Sequence, residues 1–106
     1  MLTKDFRITL KYEHIIDARL VCRDNTIKGF VLNYRARIEG RWHDIYRVDT
    51  CHSFLHEQRF WRSPIPIKLP QTAPLKIMFD FFLQEIKDNY ERYERYYKDA
   101  LQDRRV

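Results

Sequence analysis

A chain of 106 residues is long enough for one compact domain with a modest core. Aromatic residues make up 15% of it and there are only two glycines and four prolines, which excludes a disordered, collagen-like or low-complexity chain. The net charge of +5 is unevenly placed: from position 76 onward seven basic and seven acidic residues cancel, so the excess, thirteen basic against eight acidic, lies before it.

That basic body points to a polyanionic partner, nucleic acid first. The two cysteines, Cys22 and Cys51, form neither a C-x-x-C pair nor a disulfide framework, so a reducing cytoplasmic setting is expected. The opening "MLTKDFRITLKYE" is charged throughout and offers no signal-like apolar core. No apolar run approaches the ~20 residues that span a membrane, so no membrane partner is expected.

The first 23 residues alternate with period two. Phe6, Ile8, Leu10, Tyr12, Ile16, Ala18, Leu20 and Cys22 share one parity, while Arg7, Thr9, Lys11, Asp17, Arg19 and Arg23 take the other. This predicts two half-buried strands with a bend near His14 and Ile15, followed by a turn at "RDNT". Positions 27–38 continue the alternation through Phe30, Leu32, Tyr34, Ala36 and Ile38. A two-residue turn at Glu39-Gly40 would mix the faces of the next hairpin. A three-residue loop, Ile38-Glu39-Gly40, pairs Leu32 with Tyr46 and Tyr34 with Asp44 and keeps one face largely apolar, so the pattern favours it. A three-residue turn at 24–26 would likewise set Leu20 opposite Phe30 and Ala18 opposite Leu32.

"FLHEQRFW" reads as a fifth, less regular strand, and "RSPIPIKLPQTAP" as an extended connection in which each proline disfavours helix before it. From Leu75 the period changes to three or four, through Met78, Phe79, Phe82, Ile86, Tyr90, Tyr93 and Tyr97. Thr72 is the expected N-cap, with Pro74 in the first turn. Such a helix is roughly 45 Å long, more than the ~26 Å width of a globule of this size, so its second half is expected to overhang. The expected fold is therefore α+β: an antiparallel meander of four to five strands over about 5–62, a Pro-rich connection over 63–72, and one amphipathic helix over about 73–104 packed on one sheet face, all in a single domain spanning 1–106.

Three groups of residues carry functional expectations. On the polar face of the hairpin lie Arg35, Arg37, Arg41, His43 and Arg47, joined by Arg19 and, beyond the turn, by Arg59. These form a cationic surface whose self-repulsion an anionic ligand would relieve, and RNA is favoured over DNA. On the overhanging helix, Tyr90, Tyr93, Tyr96 and Tyr97 form the expected protein–protein surface, most simply in a homodimer.

The third group is the run "YRVDTCHSFLHEQRF" at 46–60, which places Asp49, Cys51, His52 and His56 within eight residues of one another and between Arg47 and Arg59. An imidazole oriented by Asp49 and backed by a phosphate-binding Arg47 is the minimum equipment for metal-independent RNA cleavage. The same residues would equally serve as a turn, with Asp49 as its cap and Cys51 as a small buried hydrophobe. One Cys, two His and one Asp do not make a structural zinc spacing, so neither metal nor cofactor is expected. If the cluster does chemistry, His52→Ala and Asp49→Asn are expected to remove activity while sparing stability; if it is a turn-stabilising network, both are expected to fold poorly.

The longer run "GRWHDIYRVDTCHSFLHEQRFW" resembles the core motif of TumE-like toxins of toxin–antitoxin modules and of a related family of small bacterial and archaeal proteins. That motif has a strand ending in Arg-aromatic-Asp, a turn with one His, and a His-x-His beyond it. The resemblance covers about residues 30–61. It implies a small antiparallel sheet with helices, an antitoxin partner, and functional roles for Arg47, Asp49, His52 and His56. Two positions depart from it: Val48 follows Arg47 where an aromatic is usual, and Gln58 stands where the motif has its last His. With that imidazole missing, catalysis stays open, and the alternative is a module that binds nucleic acid or assembles with itself without cutting.

Overall fold

The computed structural model describes residues 1–104, with the side chain of His52 outside the described set. The chain runs β1 (Leu2–Lys11), β2 (His14–Arg23), β3 (Thr26–Ile38), β4 (Arg41–Asp49), a single 3-10 turn (Cys51–Ser53), β5 (Leu55–Arg59), β6 (Ile67–Leu69) and α1 (Leu75–Arg104). The strands form one antiparallel sheet whose spatial order is the chain order. The expected meander followed by one helix is present, but with six strands rather than four to five. The extra strand, β6, lies inside the proline-punctuated connection. Pro66 and Pro70 flank Ile67–Leu69 without entering it, and an edge strand needs to pair on one side only.

The hairpin geometry corrects the expected loops. Both β2–β3 and β3–β4 turn through two residues with positive φ, Asp24 (51°) and Asn25 (60°) in one case, Glu39 (51°) and Gly40 (80°) in the other. This is the left-handed pair that matches the twist of a tight hairpin. The three-residue loop at Ile38-Glu39-Gly40 does not form. The faces are reconciled by a bulge instead: Arg35 pairs with Asp44, Tyr34 pairs with Tyr46, and Ile45 is the extra residue between them. Leu32 therefore meets Val48, not Tyr46, and Tyr34 meets Tyr46, not Asp44. Between β2 and β3 the expected partners Leu20–Phe30 and Ala18–Leu32 are found, but a bulge at Lys28 restores them after a two-residue turn.

The even-numbered face of β2 and β3 carries Ile16, Ala18, Phe30, Leu32, Tyr34 and Ala36. With Ile45, Tyr46 and Val48 of β4 and Leu55 of β5 it is buried beneath Met78, Phe79, Phe82, Ile86, Tyr93 and Tyr97 of α1. Helix α1 lies over β3 and β4. It does not overhang. The molecule measures 50 × 28 × 21 Å, and β3, thirteen residues long, itself extends roughly 43 Å. The body is elongated along the helix, so a sphere of the same mass underestimates what a sheet of long strands can cover.

The start of α1 also differs from expectation. The Pro74 carbonyl accepts from the N–H of Ile77 (3.0 Å) and of Met78 (3.1 Å), so Pro74 stands at the cap. Thr72 does not cap; its hydroxyl lies 3.8 Å from the Met78 sulfur.

Candidate functional site

One face of the sheet is covered by α1 and the other is open. On the open face the odd-numbered side chains of β1–β3 meet those of β4 and β5, and they are not a bare cationic plane. Arg19 grips Asp5 through Nε (2.6 Å) and Nη2 (3.1 Å). Arg7 (3.0 Å) and Arg35 (2.6 Å) hold the two oxygens of Asp17, and Asn33 donates to Asp44 (2.9 Å). The repulsion expected from the hairpin alone is thus cancelled by aspartates of β1 and β2. Hydrogen bonding to Arg19 holds the Asp5 carboxyl below its ordinary range. The Arg19–Asp5 and Arg7–Asp17 pairs are exposed and so weak, while Arg35, 24% exposed, is more sheltered. Together Asp5, Arg7, Asp17, Arg19, Asn33 and Arg47 border a shallow concavity of about 690 Å³.

The structure divides the residues expected to meet nucleic acid. Arg19, Arg35, Arg37 and Arg47 share the open face, with Arg37 3.8 Å from Glu13. The bulge at Ile45 turns Arg41 and His43 to the helix side. Arg41 pairs with Ile38 and His43 with Ala36, and the His43 ring nitrogen shares a hydrogen bond with the Tyr97 hydroxyl (2.9 Å). Arg59 is also on the helix side, bonded to the buried Glu57 (3.0 Å).

At one end of the open face, β4 runs out at Asp49. Thr50 fixes that exit: its N–H donates to the Phe30 carbonyl (3.1 Å) and its hydroxyl accepts from the Phe30 N–H (3.0 Å). Asp49 is 8% exposed. One of its oxygens accepts from Arg47 Nε (2.6 Å) and the other from the Cys51 N–H (3.1 Å). His56, directly opposite on β5, brings Nδ1 to 3.6 Å from the second oxygen. Asp49 thus accepts from the first N–H of the turn and faces His56 across the strand pair. Partial burial opposes the charge on Arg47, but bonds to Asp49 and Cys51 outweigh it and hold the guanidinium above its ordinary range.

Arg47, Asp49, Cys51, His56, Gln58 and Pro66 line a cavity of about 250 Å³. Cys51 is exposed, which corrects its expected role as a small buried hydrophobe. Gln58 donates to the Pro64 carbonyl (2.7 Å) and so ties the β5–β6 loop down. The role expected of His52 falls on a side chain outside the described set. No group of three or more His, Cys, Asp or Glu arranged to hold a metal occurs among the described residues.

A family model described as DUF7718, a domain of unknown function, matches residues 1–103. The chain belongs to the DUF7718 family. No curated protein and no solved structure matches it.

Two residues of the DUF7718 corner are not among those the sequence singles out. Phe54, 47% exposed, places its ring 6.1 Å from that of His56. Lys68 of β6, opposite His56 in register, sits 4.0 Å over the Phe54 ring. A signal for Phe54 exists, since strict alternation in "FLHEQ" sets Phe54, His56 and Gln58 on one side. Nothing local signals Lys68, because the prolines around β6 hide it as a strand. A second exposed aromatic of the open face, Trp42, lies 5.0 Å from the Arg35 guanidinium.

The tyrosines of the DUF7718 helix work mostly inside the chain. Tyr93 is stacked between Tyr46 (5.0 Å) and Trp61 (5.1 Å). Tyr97 bonds to His43, and Tyr90 packs edge-on against His14 and Tyr34. Tyr96 is more open, 40% exposed and tilted against Trp61. The aromatic stripe expected to form a partner surface is therefore largely core. No helix among the described residues is long and apolar enough to cross a membrane.

Proposed function

We propose that this protein binds RNA across the open sheet face and cleaves it at the Arg47–Asp49–His56 corner, as a toxin-type ribonuclease. The observation that carries the reading is a ring nitrogen of His56 held 3.6 Å from a carboxylate whose other oxygen is tied to Arg47. His56 Nε2 takes the proton of a 2′-hydroxyl as that oxygen attacks the adjacent phosphorus. Arg47 balances the charge gathering on the phosphate oxygens. The departing 5′-oxygen takes its proton from a second acid, and the TumE-like motif puts His52 in that role. The same resemblance supports an antitoxin as the protein partner.

The test is end-labelled RNA incubated with wild type and His56→Ala without added metal. Cleavage leaving a 2′,3′-cyclic phosphate, lost in the variant and absent on all-deoxy substrate, is expected. A second reading, binding without cleavage, is favoured by Gln58, which replaces the motif's last imidazole and is committed to the Pro64 carbonyl. Salt-sensitive RNA binding with no cut product would establish that reading and overturn the first.

A further inference from the structure

The corner sets a histidine beside a half-exposed aromatic ring. Phe54 follows the 3-10 turn and precedes Leu55, whose side chain is buried in the core. Alternation along the strand therefore turns Phe54 outward, onto the same side as His56. This aromatic, 47% exposed, does not belong to the core cluster. It holds the edge of an imidazole on one side and a lysine ammonium over its face. Among the described residues Lys68 forms no ion pair, unlike Arg7, Arg19, Arg35 and Arg47 of the same sheet face. A half-exposed aromatic ring, a lysine over its face without a carboxylate, and an arginine held by Asp49 thus surround one histidine.

We propose that Phe54 and Lys68 form a base-stacking subsite that makes this corner take single-stranded RNA. The inference rests on the RNA-binding reading above and names its substrate class. One unpaired base lies on the Phe54 ring in place of the Lys68 ammonium, and the displaced ammonium meets a neighbouring phosphate. The next phosphate along the strand then falls toward Arg47 and His56, a step that a single nucleotide spans. Base–aromatic stacking on an open ring is stronger than an exposed cation–π contact, so the exchange is favourable. A duplex cannot make it, because its stacked bases present no free π-face to the ring. Sequence preference is weak, since every base has a π-face.

The test measures affinity in low salt for a labelled single-stranded oligouridylate, the same strand annealed to its complement, an abasic strand of equal length, and single-stranded DNA. Wild type should bind the oligouridylate roughly 5- to 150-fold more tightly than the abasic strand, the range of one stacked base. Phe54→Ala should lose that factor while its weaker duplex and abasic binding is unchanged, and Phe54→Tyr should retain it. The comparison with the abasic strand needs no variant, so it stands even if Phe54→Ala folds poorly. Equal binding of abasic and normal strands, or full affinity in a folded Phe54→Ala, overturns the stacking subsite and leaves the RNA-binding reading intact. Wild type that binds none of the RNAs overturns both. Equal affinity for DNA retains the subsite but removes the restriction to RNA.

Discussion

His14 Nδ1 lies 2.8 Å from the hydroxyl of Tyr34, a residue with no exposed surface. The His14 ring is itself buried beneath α1, with Nε2 3.5 Å from Glu94 and Tyr90 edge-on. Burial is the largest influence on it and pulls its pKa below the ordinary value of 6.5; Glu94 and Glu91 oppose this, while Lys11 and Lys98 add to it. A histidine that resists protonation when folded is protonated first in the unfolded chain. Its contribution to stability is complete above about pH 6.5 and declines as pH falls below that value toward the folded pKa. The melting temperature should therefore drop between pH 7.5 and 5.5, a range in which ordinary carboxylates stay ionised. His14→Gln should flatten the slope, and an unchanged slope would mean that another group titrates.

Tyr93 is clamped between Tyr46 and Trp61, so Tyr93→Ala should cost about 3–5 kcal/mol, the range for removing a buried aromatic. Urea denaturation measures it. If Tyr93 instead serves a protein interface, light scattering will show a change of mass with little change of stability. Tyr96→Ala should be much milder.

Tyr46 donates to Glu57 at 2.6 Å, and Arg59 supports the second oxygen of Glu57 at 3.0 Å. Burial first, and then the bond to Glu57, push the Tyr46 hydroxyl well above its ordinary range. Tyr46→Phe strands a buried carboxylate oxygen and should cost about 1–3 kcal/mol. The double variant with Glu57→Gln should recover part of that loss, because the stranded group is then uncharged. Strictly additive losses would deny the coupling.

At the corner, the bonds of Asp49 to Arg47 and Cys51 argue that its substitution will not spare stability. Asp49→Asn should lower stability by about 1–2 kcal/mol, since hydrogen bonds to charged groups weigh more than neutral ones. His56→Ala removes a side chain that is 21% exposed and makes no contact with Asp49 closer than 3.6 Å, so it should cost less than Asp49→Asn, about 1 kcal/mol. His56→Ala is therefore the cleaner probe of chemistry, and thermal melts of both variants alongside the cleavage assay check the order.

The two sides of the sheet should respond differently to salt. Arg19→Ala with Arg35→Ala should weaken RNA binding and reduce the slope of log K against log salt by about two, one for each phosphate that is no longer neutralised. Arg41→Ala, on the helix side beside Ile38, should leave the slope unchanged. An equal effect from Arg41 would place the RNA on the other side of the molecule.

Much of the architecture follows from local pattern. Period two from Phe6 to Cys22 and from Phe30 to Ile38 marks strands, because a half-buried pleat admits little else. The three-to-four spacing from Leu75 onward marks a helix for the same reason. The polar turn at Asp49–His56 was legible too, since its residues are close in the chain and a strand end is where they converge. Register was not legible. Where a bulge absorbs a residue depends on what the opposite strand and the helix will accept: Ile45 and Tyr46, adjacent in the chain, are both buried in the core cluster, and Tyr46 stacks on Tyr93 of α1.

From that one shift follow the transfer of Arg41 and His43 to the helix side and the hydrogen bond between His43 and Tyr97. The pairing of β1 with β2 likewise decided that Asp5 and Asp17 neutralise arginines that sequence leaves unopposed. The addition of β6 decided that Lys68 meets Phe54 beside His56. Sequence by itself determined which segments are strands, which is helix, and which turn is polar, because each depends on neighbours within a few residues. Only the tertiary structure decided which charges cancel, which aromatics are core and which side chains surround His56, because those depend on strand pairing and bulge position, set by contacts far apart along the chain.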